Sequence, residues 1–168
     1  MKYRIIYSNR KTIALSIVKG ELVVRAPLRT GTNVIETVIK KHMRWVENHI
    51  SAQKKRMDLL SSLSEDDVKR LKKSAKLYFA EKTEYFSRIM GIKYGRITIT
   101  SAEKRFGSCN SKGNICFSYR LMLYSEAARE YVIVHELAHI LEMNHSDRFY
   151  RIIESVLPDY KQRKRLLK

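Results

Sequence analysis

His135, Glu136 and His139 stand as H-E-x-x-H inside the apolar run Tyr131-Val-Ile-Val-His135-Glu136-Leu-Ala-His139-Ile-Leu141, and His145 follows closely. Residues four apart share one face of a helix, about 6 Å along its axis. Two imidazoles so placed can hold one metal ion, while Glu136, one step round the helix, faces a water on that ion. Zinc lowers the pKa of such a water to about 7, and a carboxylate beside it can act as general base when the water attacks a carbonyl or phosphoryl centre. The chemistry these residues predict is metal-assisted hydrolysis, with Glu136 as the base and one zinc per chain.

A catalytic zinc needs three protein ligands and one open position. Glu142 lies on the same helical face as His135, but three ligands strung along about 10 Å of straight helix cannot reach one ion. His145 is better placed, because a turn at Asn144 swings its ring back over the pair. Its spacing from His139 equals that in the extended signature H-E-x-x-H-x-x-G-x-x-H, with Glu142 standing where that signature has glycine. His145 is therefore the expected third ligand, and Glu142 a supporting group that orients a ligand histidine. Arg105, Arg148 and Tyr150 are the candidates for contacting substrate or a developing oxyanion. His42 and His49 read as surface residues. Cys109 and Cys116 lack C-x-x-C spacing and read as reduced thiols.

The elements that must position these groups follow from periodicity. Residues 2–7, 12–18 and 21–26 alternate or are β-branched, with breaks at Ser8-Asn9-Arg10 and Lys19-Gly20, and predict an antiparallel β-meander. Gly31-Thr32-Asn33 then precedes a helix carrying Val34, Val38, Met43, Trp45, Val46 and Ile50, with residues 51–56 continuing it. Ser64 caps a long helix that carries Val68, Leu71, Ala75, Tyr78, Phe79, Phe86 and Ile89 up to Gly91. Two short strand signals follow at 96–100 and 114–118, separated by a loop over 104–111. Ser125 caps the histidine-bearing helix over 126–143, and Ser146 starts a last helix before Pro158. The division expected is an N-terminal part, residues 1–60, and a catalytic part, residues 61–168, forming one compact unit overall.

Composition narrows the setting. No low-complexity tract occurs, and no apolar run approaches the roughly 20 residues that cross a membrane. The first residues enter an alternating pattern without a signal-peptide core, so a cytoplasmic location is expected. Lys plus Arg number 34 against 17 acids, a net charge of +17. Residues 1–60 hold 13 basic and four acidic side chains, and the tail from Lys161 onward adds five further cations. Such a field attracts anionic substrates and polyanions, nucleic acid among them.

Several motifs in order are similar to one family. Arg105-Phe-Gly-Ser-Cys109, Gly113-Asn-Ile115, Arg120-Leu-Met-Leu123, the H-E-x-x-H helix, and Asn144-His-Ser146 with Phe149-Tyr150 resemble the YgjP-like metallopeptidase-type family, related to the SprT and WLM zincins. Arg10-Lys-Thr12 and Val24-Arg-Ala-Pro27 extend the likeness to the N-terminus. Phe106 and Tyr150 depart from it, standing where the family usually has Trp. The resemblance implies an α+β, zincin-like catalytic domain behind the β-rich segment and helices, with His135, His139 and His145 on the metal and Glu136 as base. A zinc metallopeptidase acting on peptides is the function expected first. A metal-dependent nucleotide (NTP) pyrophosphohydrolase is the second reading, although no G-x-x-x-x-G-K phosphate loop occurs. A nucleic-acid-associated protein with a structural zinc is the third.

Overall fold

Leu22, Val23 and Val24 form an unbroken apolar run, which suits a strand covered on both faces rather than an edge. In the computed structural model, which describes residues 2–167, that run is the centre of a three-stranded sheet. The strands are β1 (Tyr3–Ser8), β2 (Ala14–Val18) and β3 (Glu21–Pro27), in the order β1-β3-β2. β2 and β3 make the expected hairpin across Lys19-Gly20, whose φ angles of 52° and 79° fit a two-residue primed turn. β1, however, pairs parallel with β3, from Tyr3 opposite Leu22 to Ser8 opposite Pro27. The antiparallel meander is therefore corrected to a mixed sheet. The strand with the most continuous buried side chains takes the middle, and the half-exposed β1 takes an edge.

Helices α1 (Thr32–Lys41) and α2 (Met43–Ser62) replace the single helix expected, with the break at His42. Ile35, Ile39 and Val46 close over Leu22, Val24 and Ala26, so both helices serve one core. No proline or glycine marks the break, which is why periodicity alone read through it. The chain divides into two compact units, Met1–Leu63 and Ser64–Lys168.

The second unit begins with α3 (Glu65–Met90). Ser64 and Asp67 form a reciprocal capping box at its start, and Gly91 in the left-handed region (φ 64°) ends it. A second sheet contains β4 (Ile97–Thr100), β5 (Gly107–Cys109) and β6 (Ile115–Ser118), in the order β4-β6-β5. Its central strand β6 pairs parallel with β4 and antiparallel with β5. Phe79 of α3 stacks on Phe117 of β6 with ring centroids 4.6 Å apart. A short 3-10 turn, Tyr119–Leu123, leads to α4 (Glu126–Leu141), then α5 (Asp147–Val156) and α6 (Tyr160–Arg165).

Burial of α4 extends round most of its surface, from Tyr131, Val132, Ile133 and Val134 to Leu137 and Ala138. Its flank is tied electrostatically. Lys82 of α3 reaches Glu126 at 2.7 Å and Glu130 at 3.0 Å, and Arg163 of α6 reaches Glu130 at 2.7 Å. The protein is thus a mixed α+β structure with two small sheets. No helix among the described residues is long and apolar enough to cross a membrane.

Candidate metal centre

The helix α4 presents His135 and His139 one turn apart, then ends at Leu141 because Glu142 is extended (φ −148°, ψ 107°). The chain turns through Asn144 and restarts at α5, where the Ser146 hydroxyl accepts from the Phe149 amide. This turn carries His145 back to the helix. The ligating atoms of His135, His139 and His145 all lie within 4.8 Å of one another. Nε2 of His145 stands 3.2 Å from Nε2 of His135. Two nitrogens on one tetrahedral zinc, each bonded at about 2.0–2.1 Å, are about 3.3 Å apart. The donor set, and the spacing of this pair, fit such an ion.

The outer nitrogens are tethered in a way that leaves the inner ones free to bind. Nδ1 of His139 donates to the backbone carbonyl of Glu142 at 3.2 Å, and Nδ1 of His135 lies 3.5 Å from the Tyr131 hydroxyl. The carbonyl contact fixes the His139 tautomer that presents Nε2 as an acceptor to a metal. Burial pushes His135 down to about 3, helped by neighbouring His139, His145 and Lys164, and burial lowers His139 as well. Neutral imidazole is the metal-binding form. Beneath the rings lies fully buried Phe149, whose centroid is 4.9, 4.6 and 4.8 Å from those of His135, His139 and His145. One aromatic floor therefore packs against all three.

Glu136 is 5% exposed, and burial alone pushes its carboxyl up to about 7. Space for it exists because β5 offers a glycine at the contact. A Cβ built on Gly107 would fall 2.6 Å from Oε1, 2.8 Å from Cγ and 2.9 Å from Cδ of Glu136. The three rings and Glu136 open on a cavity of about 340 Å³, walled also by Arg105, Met143 and all of β5. Burial, Glu136 and Cys116 push the Cys109 thiol up to about 11, so it stays protonated. Both cysteines are free, and Cys109 pairs across the ladder with Ile115 rather than Cys116.

The supporting candidates fall at different places. Arg105 lines the cavity. Tyr150 stacks against His145 at 6.4 Å. The carboxylate of Glu142 approaches Arg148 only at 3.9 Å, so its main chain, not its side chain, steadies a histidine. Gly107, Met143 and Phe149 also belong to the site, and nothing in their spacing marks them as site residues. In the sequence Gly107 stands only within a loop motif, and Phe149 only within the family-like motif beside Tyr150.

The family described as YgjP-like, metallopeptidase domain, matches residues 63–168. No match is found among curated proteins. Among solved structures, the metallopeptidase zymogen of Pyrococcus abyssi abylysin is similar at 23% identity, over 53% of this chain and 90% of that one, with a TM-score of 0.49.

Proposed function

The chain belongs to the YgjP-like metallopeptidase-domain family, and on that premise we propose that it is a zinc-dependent peptidase whose ion is held by His135, His139 and His145. The observation that carries this reading is the meeting of three ring nitrogens within 4.8 Å beside a buried carboxylate. Zinc in that position would supply a Lewis acid and a water acidic enough to lose a proton near neutral pH. Glu136 is the base in this reading: its carboxylate takes a proton and returns it to the leaving amine. The apolar surroundings of Glu136 raise its basicity to the range where both transfers are balanced.

Substrate alignment falls to β5. β6 is paired on both sides and has no free edge for a peptide backbone, and β4, at the other edge, does not line the histidine cavity. β5 lies at the sheet edge and lines the cavity, so an extended peptide added there would pass the three histidines. The nucleotide and nucleic-acid readings draw on charge alone and have no comparable geometry behind them.

Incubation with a panel of peptides and nucleoside triphosphates, before and after chelation, tests the proposal. Peptide cleavage is expected, lost on chelation and restored by added zinc. Hydrolysis of triphosphates with no peptide cleaved would overturn it.

A further inference from the structure

A second cavity of about 340 Å³ shares no lining residue with the one that holds the histidines, and Tyr150 and Lys164 are its two residues already met at the metal centre. It is lined by Tyr150, Tyr160, Lys161, Lys164 and Arg165. Tyr150 connects the two places, stacking on His145 at 6.4 Å and on Tyr160 at 6.0 Å. The lining holds three cations and no carboxylate. Asp159, the acid next to Tyr160 in sequence, is already engaged, because Arg163 binds both Asp159 and Glu130 at 2.7 Å. Among the described residues, Lys161, Lys164 and Arg165 make no ion pair. Three like charges round one concavity repel one another, and an entering anion relieves that repulsion.

We propose that this cavity is an anion subsite of the peptidase, which takes a carboxylate or phosphate-ester side chain of the substrate beside the bond to be cut. The inference rests on the peptidase reading for the identity of the substrate. Its size suits a side chain, not a track for several nucleotides. The aromatic faces are also occupied: Lys164 stands 5.2 Å over Tyr150, Lys161 stands 5.6 Å over Tyr160, and Tyr160 is buried. Base stacking, the usual use of aromatic rings in single-strand binding, has little free ring surface here. Charge recognition does not need it.

The test uses the zinc-loaded full chain and fluorescent peptides identical except for one residue: Glu, phosphoserine, Gln or Lys. The expected result is that Glu or phosphoserine peptides bind at least about tenfold tighter than the Gln peptide, the value a charge-assisted contact supports. The preference should shrink as salt rises, and the Glu and phosphoserine arms tell carboxylate from phosphate recognition. Lys164→Gln with Arg165→Gln should abolish it. Lys164→Glu with Arg165→Glu should turn it toward the Lys peptide, a gain that a misfolded protein cannot produce. Equal binding of Glu and Gln peptides, an acid preference that survives both double variants, or a thymidine oligonucleotide bound through these cations with no acid preference among peptides would overturn the proposal. Cleavage separates the two readings. If all peptides are cut equally, the peptidase stands and the subsite fails. If none is cut while acidic peptides bind through the cations, the anion site stands and the peptidase reading fails.

Discussion

Glu136→Gln is expected to retain the metal and the fold while kcat/KM falls about 10²–10⁴-fold, the usual worth of a positioned general base. The amide keeps the shape of the carboxyl but cannot take a proton. Stability should move the other way in the chelated protein. Burial raises the Glu136 carboxyl from 4.5 to about 7, so the folded state prefers its protonated form. The stability this preference contributes is full below pH 4.5 and is lost as pH rises through about 7. Above that pH the chelated wild type carries a buried charge at a cost on the order of 3 kcal/mol, which the neutral Gln variant avoids. Thermal melts of both chelated proteins at pH 5 and pH 8 should converge at the lower pH and favour Gln at the higher. Full turnover in the Gln variant would remove Glu136 from the chemistry.

Gly107→Ala is expected to reduce turnover about 100-fold without loss of metal. An added Cβ has no room: it would overlap Oε1, Cγ and Cδ of Glu136, all nearer than 3.0 Å. Displacing a reacting group by about 1 Å costs on the order of 10² in rate. Strand propensity acts in the opposite direction, since alanine is favoured over glycine there by roughly 0.5–1 kcal/mol. The contact decides the sign. The three nearest atoms all belong to Glu136 and none to a histidine, so metal content serves as the internal control, and wild-type kcat in the alanine variant would show that β5 does not shape the base.

The residues that carry the proposed chemistry were legible from spacing because helical geometry is local. The i, i+4 pair, the turn at Asn144 and the three serine caps at Ser64, Ser125 and Ser146 each depend on neighbours a few positions away, and each takes the expected local form. What was hidden depends on distant partners. β5 is three residues of glycine, serine and cysteine with no apolar alternation, and only pairing with β6 makes it a strand. The parallel place of β1 beside β3 is set by which strand has two buried faces, and short-range patterning favours the hairpin neighbour instead. Gly107 shows the same limit within the site. Its glycine is explained by Glu136, 29 positions on, and no periodicity links the two. The cations of α6 were read as part of a charged tail, and only the fold gathers them beside Tyr150.

Zinc content of the purified protein, measured together with that of single alanine variants at His135, His139 and His145, bears most directly on the central claim. One ion per wild-type chain, with affinity lost in each of the three variants, is the result expected from three nitrogens converging within 4.8 Å. A wild type that binds no stoichiometric metal, or an ion retained with full affinity when any one of these histidines is removed, would contradict it.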